Sequence, residues 1–318
     1  MKKLLLLFVI SILTAVFLCF KIDKIISVPQ KVEGEVVFKI NKGDSLHTIS
    51  KMLAQKGLVN DARFFFWYAK VFKIYPKIKA GEYMIDRDVN FVDMANVLQS
   101  GKFYWRKVTI PEGLTTAQIR EILLKNEYLK GEVPDFAEGD IFPETYTFMS
   151  GETRANIIKN AHEKLNDALT EIWENRAEDL PLASPHELLI LASIIEKETG
   201  VKSERDKVAS VFVNRLKIGM RLQTDPTVIY ALTMGKTELG RPLYRRDLEI
   251  DSPYNTYKYA GLPPTPICAV GREALYAAAH PANTKYLYFV ASGNGGHNFA
   301  ATLDEHNQNV NNWRKINK

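Results

Sequence analysis

The sequence predicts an α+β protein with an N-terminal transmembrane helix, small α+β modules behind it, and a mixed α+β C-terminal domain. Three observations predict this. Residues 4–20 carry no charge. Segments 39–53 and 109–123 repeat one strand, glycine turn and capped-helix pattern at an offset of 70 residues. From residue 153 onward the apolar spacing is mostly helical until a strand and hairpin at 286–299.

With 318 residues the chain has room for two or three domains. Its 46% hydrophobic and 25% charged content is that of a globular protein. The net charge of +5 suits a mildly anionic partner or a membrane surface. It is too diffuse to argue for nucleic acid, and no basic block interleaved with aromatics stands out. Cys19 lies in the apolar run and Cys268 far from it, so no disulfide framework or metal cluster is expected.

Taken in order, Lys2 and Lys3 precede the uncharged run, and Lys21, Asp23 and Lys24 close it. Its 17 residues reach the short end of the ~17–25 that span a bilayer. No small-residue cleavage site follows, and bulky Phe17 and Leu18 argue against a lipoprotein cysteine at Cys19. The expectation is an uncleaved anchor at 4–20 with a cytoplasmic tail at 1–3; a cleaved signal peptide is the alternative. Residues 21–34 read as a linker. Residues 36–40 alternate as a strand, and Ser45 caps a helix carrying Leu46, Ile49, Met52 and Leu53. A second helix at 64–72, a return strand at 81–85 and a short helix at 91–98 complete a module over 35–107. Ile40/Ile110, Gly43/Gly113, Ile49/Ile119 and Leu53/Leu123 are identical across the repeat, and Ser45 exchanges with Thr115. Two copies fall short of a solenoid, so 108–150 reads as a second small module. In 151–318, helices are expected at 157–169, 185–199, 204–216 and 272–279, with an irregular Pro- and Gly-containing loop at 252–266.

The stretch 184–200, S-P-H-E-L-L-I-L-A-S-I-I-E-K-E-T-G, is the most informative. Ser184 reads as N-cap, Pro185 as the first helical residue, Glu187 as the partner in a capping box and Gly200 as the stop. An apolar helix then ends on Glu196 and Glu198. A carboxyl group among apolar neighbours is costly to ionise, and an acid that stays protonated near neutral pH is what general acid catalysis requires. Two residues apart on a helix, the two side chains point to different faces, and periodicity does not choose between them.

Other constellations are absent. His162-Glu163 and His186-Glu187 lack a second histidine at zincin spacing, so neither metal nor cofactor is expected. No G-x-S-x-G elbow occurs, and G-N-G-G at 293–296 opens no phosphate-binding helix. Asp225 before Pro226 reads most simply as an N-cap, Glu144 as a turn or cap residue, and His297 as structural. Tyr254, Tyr257 and Tyr259 suit either packing or stacking on sugar rings.

Seven motifs in order carry a family resemblance: T-I-P-E-G-L-T (109–115), E-G-D-I-F-P-E-T-Y (138–146), A-S-I-I-E-K-E-T (192–199), L-Q-T-D-P-T-V-I-Y (222–230), S-P-Y-N-T-Y (252–257), G-L-P-P-T-P-I (261–267) and Y-L-Y-F-V-A-S-G-N-G-G-H-N-F (286–299). With them the chain resembles the endolytic murein transglycosylases of the YceG-like (MltG) family over nearly all of its length after residue 20. The resemblance implies a membrane anchor, a LysM-like module at 35–107 and a catalytic domain at 151–318. It also implies an inner-membrane location with the catalytic domain outside the cytoplasm, and cell-wall synthesis enzymes such as penicillin-binding proteins as partners. It places the catalytic acid at Glu196 and glycan-binding residues at Gln223, Asp225, Tyr254, Asn255, Tyr257 and His297. Thr224, Glu144, Asn298 and Ala300 depart from the common pattern, which bears on subsite preference.

The implied reaction is a lyase-type cut of the MurNAc–GlcNAc β-1,4 bond of peptidoglycan strands, leaving 1,6-anhydro ends and ending strand elongation. One acid suffices, because the muramyl C6 hydroxyl takes the place of water, whereas hydrolases normally use two carboxylates. The alternatives are a membrane-anchored glycan-binding scaffold without activity, and a glycoside hydrolase that pairs the acid with Asp225 or Glu144.

Overall fold

Alternation in 36–40 and 81–85 produces strands β1 (Val36–Ile40) and β2 (Gly81–Ile85), antiparallel with Phe38 opposite Tyr83. The computed structural model describes residues 2–316, apart from the side chains of residues 2–7 and 18. Contacts divide the chain into two compact units, residues 1–106 with 148–150, and residues 107–147 with 151–318.

The first unit opens with helix α1 (Lys2–Ser27). Residues 4–7 and 18 of the expected anchor fall among the side chains outside the description. Among the described residues no helix is long and apolar enough to cross a membrane. Beyond α1, Ser45 accepts from the Thr48 amide at 3.1 Å to start α2 (Leu46–Gln55), and Asp61 caps α3 (Ala62–Val71). Asn90 and Asp93 form a capping box on α4 (Phe91–Ser100). The core between the strands and these helices holds Phe38, Leu53, Phe65, Tyr83, Phe91 and Leu98, all nearly inaccessible to solvent. Each such side chain contributes ~1.5–3 kcal/mol of burial.

In the second unit the repeat recurs as β3 (Arg106–Thr109), Gly113 and α5 (Thr116–Lys125) capped by Thr115. Both repeat glycines have positive φ, +95° at Gly43 and +75° at Gly113, which explains their identity. β3 pairs with β4 (Thr145–Phe148). Five helices follow: α6 (Arg154–Glu174), α7 (Pro185–Glu198), α8 (Arg205–Lys217), α9 (Asp225–Thr233) and α10 (Arg272–Ala279). The hairpin β5 (Tyr288–Ala291) and β6 (His297–Ala300) precedes α11 (Leu303–Ile316). α7 is apolar all round because α6, α8, α9 and α10 all pack against it. Periodicity did not reveal α11, because none of its residues is buried and it has no core stripe to read.

Two local expectations change. Glu187 does not close a capping box on Ser184; its carboxylate accepts instead from the Ala183 amide at 2.6 Å, while Ser184 still caps through the Glu187 amide at 3.2 Å. Asp225 is not the N-cap of α9. Thr224 holds that position, and Asp225 is the first helical residue.

Candidate active site

The last turn of α7 sends its two glutamates in different directions, as i and i+2 positions on a helix must. Glu196 turns toward α8 and α10. Its Oε1 pairs with Arg205 at 3.1 Å, and its Oε2 accepts from the Gly271 amide at 2.9 Å, at the start of α10. Both side chains are buried, 4% exposed for Glu196 and 7% for Arg205. Arg205 also reaches Glu273 at 2.8 Å and Glu112 at 3.7 Å. Burial raises the Glu196 pKa above the ordinary carboxylate value, and the Gly271 amide opposes that rise. Both oxygens of Glu196 are therefore committed to protein groups.

Glu198 turns toward the start of α9. The Thr224 hydroxyl donates to Oε1, and Oε2 has no partner among the described residues. Burial pushes its pKa up; the Thr224 hydrogen bond opposes this, the Asp225 charge adds to it, and His297 and Arg215 oppose it. Around this carboxyl group several of the sequence-flagged motifs converge. Tyr257 donates to Asp225 Oδ1 at 2.6 Å. Gln223 is exposed and held at φ +49°, a left-handed conformation rare outside glycine, and its amide donates to the Thr256 carbonyl at 3.1 Å. Strain of this kind clusters at functional sites. Across the hairpin, His297 Nδ1 lies 2.8 Å from Glu204 Oε2, and its amide donates to Oε1 at 3.1 Å.

The geometry thus favours Glu198 over Glu196 as the proton donor. A general acid needs an oxygen that no protein group holds, and among the described residues Glu198 has one whereas both oxygens of Glu196 are engaged. Tyr254 and Asn255 do not join the cluster. Tyr254 is buried, packed on Tyr230 with ring centroids 4.8 Å apart, and its hydroxyl lies 2.8 Å from Thr265 Oγ1. Asn255 is fully buried; its amide donates to the Leu248 and Ile250 carbonyls at 2.9 and 2.8 Å, and its Oδ1 accepts from the Tyr257 amide at 3.0 Å. Both of its side-chain donors and its carbonyl oxygen thus go into shaping the loop that presents Tyr257. Glu144 is ion-paired with Lys164 and acts on neither glutamate.

Two residues of the site escaped sequence reading. Arg215 donates to the carbonyls of Leu287 and Leu222, each at 2.6 Å, and thereby fixes the backbone before Gln223. Glu204 positions His297. Neither sits in a patterned motif, and only the fold brings them to their partners.

A cleft of about 960 Å³ opens on the other side, with Glu112, Phe142, Arg205, Glu273 and Tyr276 in its walls. Size does not make it the reaction site. Glu273 there is held below the ordinary carboxylate value by its hydrogen bond from Lys202, so it is a poor proton donor. Glu112 and Glu273 are each about half exposed.

A raised Glu198 pKa has two expected consequences. Any activity that uses the protonated form falls as pH rises through that pKa. Asp225→Asn removes the neighbouring like charge, so the descending limb moves to lower pH, which a pH–rate profile of the variant would read. The folded state also binds this proton more tightly than the unfolded chain does. Its contribution to stability is complete below the unfolded carboxylate pKa and is lost as pH rises through the folded one.

Residues 38–312 match the model of the YceG-like family. The chain is 35% identical to a protein of Bacillus subtilis (strain 168) named endolytic murein transglycosylase, over 88% of this chain and 86% of that protein. A Streptococcus pneumoniae (strain D39) protein of the same name is 27% identical over 92% of this chain and 60% of its own length. The crystal structure of a yceG-like protein from Listeria monocytogenes superposes with a TM-score of 0.53 at 33% identity, over 87% of this chain and 99% of that one.

Proposed function

The chain belongs to the YceG-like family, and from that premise we infer that it is an endolytic murein transglycosylase, a lyase that cuts the glycan strands of peptidoglycan. The observation that carries the chemistry is Glu198, a desolvated carboxyl group with one oxygen held by Thr224 and the other free. Protonated Glu198 gives its proton to the glycosidic oxygen between MurNAc and GlcNAc. As a carboxylate it then takes the proton of the muramyl C6 hydroxyl while that oxygen closes on C1. The C1–O4 bond breaks, the C1–O6 bond forms, and no water is consumed. Electron pairs move toward the protonated leaving oxygen, and Glu198 ends protonated as it began. Gln223 and Tyr257 would orient the sugars, and His297, held by Glu204, would line the same side.

The wider setting is part of the proposal. The uncharged run 4–20 supports α1 as a single-pass inner-membrane anchor that keeps the catalytic unit outside the cytoplasm. The β1–α2–α3–β2 arrangement supports a LysM-like, glycan-binding reading of residues 35–107. Cutting nascent strands beside penicillin-binding proteins would end their elongation.

One observation favours a second reading. Asp225 stands close enough to Glu198 to raise its pKa, and two neighbouring carboxyl groups are what a hydrolase uses. Product chemistry separates the two. Full-length protein in detergent is incubated with purified peptidoglycan and the fragments are weighed by mass spectrometry. Anhydromuramyl ends are expected; reducing ends, one water heavier, would establish the hydrolase.

A further inference from the structure

Helix α3 carries two apolar faces, and only one of them is used by the core. Phe65 and Ala69 point inward and are fully buried. Phe64, Trp67 and Val71 recur at i, i+3 and i+7 on the outer side, 48%, 59% and 69% exposed. Phe72 and Tyr75 extend that surface. Between residues 62 and 80 the chain has Arg63, Lys70, Lys73, Lys77 and Lys79 and no acidic side chain. The Lys70 ammonium lies over the Phe66 and Trp67 rings at 5.9 and 5.1 Å. This segment is a basic stretch interleaved with aromatics, hidden in the sequence because its aromatics also look like a core stripe.

We propose that the outer face of α3 is a membrane-surface docking site, with Phe64, Trp67 and Val71 seated among lipid headgroups and the flanking lysines and arginine on anionic lipid. Aromatic and basic side chains together on one helix face suit the bilayer interface, where rings bridge apolar and wet layers and cations meet acidic headgroups. Position supports the same occupant. Asn60, next to the cap of α3, shares a groove of about 840 Å³ with Phe17, Phe20, Lys21 and Lys24 of α1. Phe17 and Phe20 end the apolar run and Lys21 and Lys24 follow it, so α3 begins at the level where an anchor would leave the bilayer. A glycan strand would also find aromatic platforms here, but five cations without an acid favour the anionic surface. The inference rests on α1 being an anchor. A second contact would fix the tilt of the first unit over the membrane, where a single helix leaves it free to swing.

Full-length protein carrying Cys19→Ser and Val71→Cys tests it, since Cys268 is buried. An environment-sensitive fluorophore goes on residue 71 and, in a second protein, on Lys51→Cys, which is exposed on α2. Each is reconstituted into phosphatidylcholine vesicles with or without phosphatidylglycerol, with spin-labelled acyl chains as quencher. The expected result is a blue shift and quenching at 71, stronger with phosphatidylglycerol, and neither at 51. The double variant Lys70→Glu and Lys73→Glu should lose the preference for phosphatidylglycerol. Equal quenching at 71 and 51 in protein that floats with the vesicles overturns the docking site and leaves the anchor standing. A shift at 71 caused by soluble glycan fragments and not by lipid reassigns the face to carbohydrate. Failure to float with either vesicle overturns anchor and docking site together.

Discussion

Glu198→Gln is expected to lower glycan-strand cleavage by roughly 10²–10⁴-fold, the usual worth of a positioned general acid, while Glu196→Gln keeps most of its activity. Glutamine has the shape of the acid and can still accept from Thr224, but it has no proton to give. The variant should fold at least as well as the parent above the raised pKa of Glu198, because it no longer carries a desolvated carboxylate. Glu196→Gln acts elsewhere. It weakens the bond to Arg205 and retains an acceptor for the Gly271 amide, so its cost should appear in stability. Rates on purified peptidoglycan beside thermal melts of both variants check the pair. Full activity in Glu198→Gln, with loss in Glu196→Gln, would return the acid to Glu196.

The second large effect is structural. Arg205→Leu leaves Glu196 buried with a single amide for company, and breaking a buried pair in this way costs ~3–5 kcal/mol. The contacts of Arg205 with half-exposed Glu112 and Glu273 add little in comparison. Adding Glu196→Gln to Arg205→Leu removes the stranded charge and should recover much of the loss. Urea denaturation of the three proteins reads this directly; an unchanged midpoint in Arg205→Leu would mean that the ion pair contributes nothing to the fold.

Most of the helices and the first strand pair were legible because they follow simple periodicities and end on recognisable caps. Ser45, Asp61, Asn90, Thr115 and Ser184 all cap the helices they precede. The repeat was legible because Gly43 and Gly113 are both needed at positive φ. The site was legible in part. Its motifs could be found, but the resemblance pointed to Glu196 where the bonding geometry favours Glu198, since adjacency along the chain says nothing about which face meets α8 and which meets α9. Asn255 looked like a ligand-binding amide for the same reason. A polar side chain in a loop gives no sign in sequence of whether it faces solvent or holds the loop together. Arg215 and Glu204 act through partners about 70 and 90 residues away, a distance over which local pattern carries no information.

α7 is latched at three successive levels to three separate segments. Ser193 Oγ accepts from the Ile267 amide at 3.1 Å, Glu196 accepts from Gly271 and pairs with Arg205, and Glu198 accepts from Thr224. Such a helix can neither slide nor rotate without breaking several bonds at once. The proton donor therefore stands on a fixed post, and adjustment to the twist of an incoming strand falls to the chain around it. Turnover would then be paced by how polymer enters and leaves around that post, with the donor itself never moving.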